Sequence, residues 1–403
     1  MNSLTRTKAE KTIVFSGDYF SFDMGYAENT LPWEFASRGY RVFLVVSQMQ
    51  FYGDDPFYEE VYSAHLGSPR VVPGIANVAG VTVIRLPILF WWKRFKVAKS
   101  RLQTVARINP DYVYSWDPRS SQSLELAFLS FCKSFKFFVA NHTVGSVYPA
   151  YYDYPSWSFS KKLYLLLSDS LFGFLVGLRA AVCFNATPDA DEISTKYMCI
   201  PKSKSAILPL AIDTQHFKPL DSISRSGKRR DLCEKYSINI NSIICLYTGR
   251  FTLQKNPLCL AQAIDGLSSN GYEYVAFFVG SGAQSQEIAA FQSCFVMPFL
   301  SYKTLPDMMS ICDIGVWPHQ ESISMLEAAS CGLPIIVSDQ VKDKNRYEGN
   351  GLSYKTGDSF SLANSLLQLR SAEDRFQYGA AGRLKVEREF SLPLLVDKIE
   401  GYF

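Results

Sequence analysis

Residues 249 to 256, Gly-Arg-Phe-Thr-Leu-Gln-Lys-Asn, place two cations in a loop that follows an apolar run and precedes a helical pattern. A phosphate at such a place would meet free backbone N–H groups as well as positive side chains. Arg250 can grip phosphate oxygens bidentately and Lys255 adds a point charge. Taken alone, the pattern fits a solvated loop equally well, because Arg and Lys are common on surfaces. Further along, Trp317 to Pro334 carries two carboxylates around a helix start, Glu321 and Glu327. Ser324 and Glu327 have capping-box spacing and could satisfy backbone donors; a carboxylate is equally what a ribose diol needs as an acceptor. Glu321 has no comparable local task, and the N–H groups that follow it, at Ser322 and Ile323, are candidates to face a diphosphate. In the N-terminal half, Asn141, His142 and Thr143 follow an expected strand, which makes His142 a candidate polar contact or a satisfied structural histidine. His65, His216 and His319 lack metal-ligand spacing. Arg250, Lys255 and a helix start could neutralise a diphosphate without a metal.

Loops of this kind need strands to end and helices to begin. Thr12 to Ser16 is a short apolar run, followed by a loop to Met24, after which Gly25 leads into Leu31, Phe35 and Ala36 at helical spacing. Pro32 is tolerable there only if the helix begins near Thr30. Arg41 to Ser47 reads as a second strand, and strands are also expected at Thr82 to Leu86, Tyr112 to Trp116, Phe137 to Ala140 and Ala181 to Phe184, after which Ile207 to Pro209 leads into a turn-rich stretch from Leu210 to Pro219. The polar stretch Asp221 to Asn241 marks an interdomain region. A second alternation follows, with strands at Ile243 to Thr248, Tyr274 to Val279, Phe295 to Met297, Ile314 to Trp317 and Ile335 to Ser338. Asn256 and Pro257 form a cap and first turn for a helix through Ile264. The fold expected is α/β, two doubly wound Rossmann-like domains with ligands at the carboxyl ends of their strands. Their extents are 1–210 and 211–386, with a C-terminal helix at about 387–403 packing back on the first.

At these motifs the chain resembles glycosyltransferase family four, a retaining group with the GT-B fold, in which the two domains face each other across a cleft. The resemblance spans nearly the whole chain. It rests on the opening with Gly25, on Pro209 to Pro219 around Asp213 and Phe217, on Gly249 to Pro257, on Val279 to Gly282 and on Glu321 to Pro334. It implies that Arg250 and Lys255 bind the donor diphosphate, with Ser322 and Ile323 beside it, that Glu327 binds the nucleotide ribose, and that Glu321 meets the transferred sugar. Gly282 and the loop with Met297 would lie near the base, Gly25 would join the donor site from the first domain, and His142 would meet the donor sugar. The family usually separates its two glutamates by seven residues, whereas five intervene here, so either Glu321 or His319 takes the first-glutamate role. The function implied is a hexosyltransferase that uses a nucleoside-diphosphate sugar and a glycan or lipid-linked acceptor in surface polysaccharide or glycoconjugate synthesis, with no cofactor. Two alternatives share the architecture: a nucleotide-sugar 2-epimerase and a non-catalytic peripheral membrane scaffold.

Composition agrees with two globular cores. The chain has 403 residues, 47% hydrophobic and 20% charged, more than one core usually holds. A formal charge of +3 does not suggest a nucleic-acid partner. The nine cysteines are odd in number and never spaced as CxxC, most reading as small core residues. With no secretory pattern at the N-terminus, the expected place is the cytoplasm, peripheral on the inner membrane face. Leu163 to Phe184 is long enough to span a membrane, but Ser168, Asp169, Ser170 and Arg179 interrupt it, so a buried or interfacial helix is the better reading. Phe90 to Lys96, with Trp91, Trp92, Lys93 and Arg94, interleaves aromatic and cationic groups either as an anionic membrane surface segment or as a loop into a helix.

Overall fold

The computed structural model describes residues 11–22, 24–92, 95–144, 148, 151 and 156–403. They form two units: the chain up to Tyr58 with Leu66–Leu210 and Leu392–Phe403, and Glu59–His65 with Ala211–Ser391.

The first unit is built on an eight-stranded sheet. Its strands are β1 (Thr12–Tyr19), β2 (Arg41–Met49), β3 (Gly74–Val78), β4 (Val81–Leu86), β7 (Tyr112–Trp116), β8 (Lys136–Asn141), β9 (Val182–Asn185) and β10 (Ser205–Ile207), while β5 (Ile88–Trp92) and β6 (Phe95–Ala98) pair separately as an antiparallel hairpin. The order is β10-β9-β8-β7-β1-β2-β4-β3, parallel except for β3 against β4. Strands covered on both faces read as continuous apolar runs, and β7 is buried throughout. By contrast β3 is exposed along its length, an edge strand with no apolar alternation to announce it.

Helix α1 (Ala27–Ser37) starts earlier than Pro32 would suggest and carries that proline inside. The missing donor leaves the Glu28 carbonyl without its helical partner, and the proline ring is itself buried beside Leu31 and Phe35. After α2 (Ser121–Cys132) comes a rod of α3 (Phe159–Leu165), a π-helical turn (Leu166–Ser170) and α4 (Leu171–Arg179), then α5 (Pro188–Tyr197). The C-terminal helix Leu392–Glu400 belongs to this unit: Arg38 pairs with Asp397 at 2.6 Å and Glu400 at 3.1 Å, and Phe403 stacks on Tyr112 at 3.8 Å.

The aromatic-basic cluster is the β5–β6 hairpin, not a loop into a helix. Lys96 Nζ lies 4.5 Å from the Tyr19 ring centre and 4.9 Å from that of Trp91; Lys93 and Arg94 lie outside the described residues.

The second unit has six parallel strands in the order β13-β12-β11-β14-β15-β16: β11 (Ile243–Thr248), β12 (Tyr274–Val279), β13 (Cys294–Met297), β14 (Ile314–Trp317), β15 (Ile335–Ser338) and β16 (Gly351–Tyr354). The polar stretch after Asp221 does not link domains. It folds inside this unit as α6 (Ser222–Tyr236), capped by Asp221, with Arg225 and Arg229 converging on Asp313 at 3.3 and 2.9 Å. Helix α7 (Leu258–Ser269) is capped by Pro257, one residue later than expected, because Asn256 turns left-handed at φ 48°. All cysteines but Cys132 and Cys199 are buried. In both sheets chain order reverses once, between β1 and β7 and between β11 and β14, and the crevice beyond the strand ends at such a point is where open α/β sheets bind ligands.

Candidate active site

At the reversal of the second sheet, the loop after β11 carries Arg250 and Lys255 and the loop after β14 carries Glu321. Lys255 Nζ reaches across and donates to the Glu321 carbonyl oxygen at 3.0 Å. Burial, with Arg250 nearby, draws the Lys255 ammonium down to about 8, against the pull of Glu321. Two cations in one loop suit the oxygens of an anionic group.

The neighbouring loop is stitched to the first through glycine. Gly249 N–H donates to Val279 O at 3.0 Å, Phe251 N–H to Ser281 O at 2.9 Å and Gln284 N–H to Phe251 O at 3.1 Å. Gly282 has φ 150°, and a Cβ there would lie 2.6 Å from Phe251 O; at Gly280, φ 141°, it would lie 2.1 Å from Gly249 O. Only glycine permits so close an approach. Gly280 N–H also donates to Met297 O at 3.0 Å, which brings the end of β13 into the same rim. Arg250, Lys255, Gly282, Met297 and Glu321 therefore share one edge of one sheet.

Glu321 is buried and its carboxylate lies 3.4 Å from Nη1 of Arg346, itself buried and 3.4 Å from Asp343. Sequence reading missed Arg346, which belongs to no motif. Half-buried Ser322 and Ile323 lead into α8 (Ser324–Ser330). The capping box is not formed: Ile323 occupies the cap, Ser324 is already helical, and its hydroxyl accepts from Trp317 Nε1 at 2.9 Å. Glu327 is thus released from a local task. It is buried, its carboxyl makes no hydrogen bond or ion pair among the described residues, and burial pushes that carboxyl up to about 8. His319 is half-buried and its carbonyl accepts the Ser338 hydroxyl at 2.8 Å. His216 is structural, stacked on Tyr302 at 4.2 Å with Nε2 2.8 Å from that residue's carbonyl.

Gly25 and His142 belong to the first unit. Gly25 stands just before α1. His142 is exposed after β8, in a loop fixed by Asn141, whose side-chain Oδ1 accepts the Thr143 N–H at 3.1 Å and whose side-chain Nδ2 donates to Asn185 Oδ1 at 2.9 Å and to Ala190 O at 3.0 Å.

The reversal of the first sheet opens a cavity of about 380 Å³ whose lining includes Asp18, Glu28, Lys96, Asp117, Arg119 and Trp116. Asp117 is held at φ 64°, and its carboxylate binds Arg119 through both Nε (2.9 Å) and Nη2 (2.8 Å). Burial pushes Glu28 up to about 7. Beneath the cavity, Arg101 pairs with Asp18 at 2.6 Å. Carboxylates and aromatic faces together suit sugar hydroxyls and ring C–H surfaces. Sequence reading assigned none of these residues to a ligand site, since they come from separate elements: β1, α1, β6 and the end of β7 with the turn after it.

The single Asp-x-Asp of the chain, Asp189-Ala190-Asp191, is occupied with the fold: Asp189 with the Thr187 hydroxyl, Asp191 with Lys202, Asn185 and Ser205. Among the described residues no cluster of three His, Cys, Asp or Glu side chains could hold a metal ion.

Two reversal-point sheets with sites at their carboxyl ends define the GT-B fold, and comparison with solved structures agrees. HepE of Anabaena in complex with UDP superposes with a TM-score of 0.69 at 14% identity, covering 97% of this chain and 98% of that one. A lipopolysaccharide outer core galactosyltransferase, WaaB, does so with a TM-score of 0.59 at 14% identity over 97% and 98%. Residues 228–384 match the family described as Glycosyl transferases group 1. An Escherichia coli relative, UDP-Gal:alpha-D-GlcNAc-diphosphoundecaprenol alpha-1,3-galactosyltransferase, is 26% identical over 227 residues, 53% of this chain and 57% of the relative. The match thus spans little more than half of that relative's length.

Proposed function

We propose that the chain transfers a hexosyl group from a nucleoside-diphosphate sugar, with retention at the anomeric carbon, to a glycan or lipid-linked acceptor in surface polysaccharide or glycoconjugate synthesis. The observation that carries this reading is the Lys255–Glu321 contact across the reversal of the second sheet, with Arg250 beside it and an unpaired buried carboxyl at Glu327. Arg250 and Lys255 take the diphosphate, Glu327 accepts from the ribose hydroxyls, and Glu321, held by Arg346, faces the transferred sugar. The anomeric carbon–phosphate oxygen bond breaks as the acceptor oxygen bonds to that carbon on the same face; the acceptor's proton leaves with the diphosphate. The protein's contribution is to stabilise charge that grows on the departing oxygen. The UDP complex of HepE and the donor named for the Escherichia coli relative support a uridine nucleotide, and the acceptor in that relative's name supports a lipid diphosphate-linked sugar. The cavity of the first unit, with Glu28 and Asp117, is the acceptor's candidate site.

Incubation with a panel of nucleotide sugars and lipid-linked acceptors, followed by mass and anomeric analysis, tests this. Transfer with retained configuration is expected. A rearranged free nucleotide sugar would replace the reading by 2-epimerisation, and absence of any turnover by a scaffold.

A further inference from the structure

The helical rod of the first unit has its polarity inverted. Its inward positions include Ser168, Asp169, Ser170, Gly173 and Gly177, whereas outward stand Phe159 at 80% exposure, Leu166 and Leu167 at 58% each and Phe174 at 44%. The inward polar groups are satisfied: Ser170 Oγ donates to Tyr197 O at 2.7 Å, and the Tyr151 hydroxyl to Asp169 at 2.6 Å. The inward glycines allow contact no larger residue could make, since a Cβ would lie 2.0 Å from Met198 O at Gly173 and 2.8 Å from Pro201 Cδ at Gly177. Leu165 and Val176 are the large apolar residues that turn inward; small and polar residues make up much of the rest of the inner contact, and most large apolar side chains are left outside, unlike an ordinary surface helix. Among the described residues no helix is long and apolar enough to cross a membrane.

The outward face is continuous with its neighbours. Phe95 of β6 meets Phe172 edge-on at 5.7 Å and stacks with Trp92 at 6.0 Å, and the Arg179 guanidinium lies 4.3 Å from the ring centre of Phe131 on α2. Apolar surface gathered in this way marks an interaction site, unlike single exposed residues. The charge along the rod is one-sided. Lys161 and Lys162 stand near its start and Arg179 at its end, while its one acidic residue, Asp169, is buried.

We propose that this face is a membrane-docking surface, which lays the rod flat in the interface of an anionic bilayer with its apolar side chains among the acyl chains and its basic ends among the headgroups. The polar face that an interfacial helix normally turns to water is here fastened to the protein, so docking buries only what is already exposed. Anionic headgroups neutralise the basic ends, whereas a second copy of the chain would bring like charges to the interface. The proposal stands independently of the sugar-transfer reading, because it concerns binding and needs no turnover.

Flotation of the whole chain with vesicles of phosphatidylcholine, with and without about one third phosphatidylglycerol, tests it. The wild type should float with the anionic vesicles. Leu167→Gln with Phe174→Gln should lower the bound fraction by at least about tenfold, with an unchanged unfolding midpoint, because both positions are exposed. Lys161→Gln with Lys162→Gln should lower binding to anionic vesicles by roughly fivefold per charge and leave neutral vesicles unaffected. A wild type that does not float, or an apolar variant that floats equally well, would overturn the proposal. So would an apolar variant that converts a dimer to a monomer in sedimentation while still binding vesicles, which would assign the face to a second copy.

Discussion

The two units solve the same topological problem with different materials. At the reversal of the second sheet, the candidate ligand groups come from two loops of a few residues each and the helix after the second, close to strand ends that the chain announces by apolar runs. At the reversal of the first, the cavity is assembled from residues spread between Asp18 and Arg119, and its charges are already paired within the unit, Arg119 with Asp117 and Arg101 with Asp18. One site sets two cations beside a buried carboxyl; the other presents carboxyls and rings around arginines that are already paired. A charged ligand part suits the former and a hydroxylated one suits the latter.

This contrast can be broken by mutation. The largest effect is expected from Arg346→Met, which leaves Glu321 buried without its cation; chemical denaturation should show a loss of about 3–5 kcal/mol. A loss below about 1 kcal/mol would mean that the pair holds nothing in place. Next, Glu327→Ala should weaken nucleotide binding by roughly 10- to 100-fold in calorimetry, the worth of a charge-assisted hydrogen bond. Glu28→Gln should do the opposite of a donor-site change: kcat/KM for the acceptor falls by about tenfold while nucleotide affinity stays put. If nucleotide affinity falls instead, the division of labour between the two sites is wrong.

The smallest effects come from pH. Donor affinity should rise as Glu327 ionises and fall as Lys255 loses its proton, both near 8, so the profile is a bell centred there. Lys255→Arg should remove its alkaline limb. Folding raises the Glu327 carboxyl from 4.5 to about 8, so the ligand-free protein gains stability below the first value and loses it as pH rises to the second. The slope from this one group is at most about 1.4 kcal/mol per pH unit, and Glu327→Gln should abolish it in pH-dependent melts.

How much was legible in the sequence follows the same division. The bounds of β11, β12, β14 and β15 coincide with their apolar runs, because strands buried on both faces carry an uninterrupted signal. The edge strand β3 and the β5–β6 hairpin carried none, one being exposed throughout and the other reading as an aromatic-basic tract. Arg250, Lys255 and Glu321 were legible as loop chemistry, and the structure sets them at one strand edge. Glu327 was legible only as a choice between a cap and a ligand, which the displaced helix start resolves against the cap. Arg346, Glu28 and Arg119 were invisible because their significance lies in what the fold sets beside them. The apolar run from Leu163 is legible in the sequence, but which of its side chains face outward depends on the close inner contacts that Gly173 and Gly177 allow.

The most direct measurement of the central claim, that Arg250, Lys255 and Glu327 serve one ligand, compares UDP with uridine by calorimetric titration of the wild type, Lys255→Ala and Glu327→Ala. The wild type should bind UDP, Lys255→Ala should lose roughly 10- to 100-fold toward UDP and nothing toward uridine, and Glu327→Ala should lose toward both. If UDP, ADP and GDP all fail to bind the wild type, or if Lys255→Ala binds UDP as tightly as the wild type does, these side chains do not share a nucleoside diphosphate.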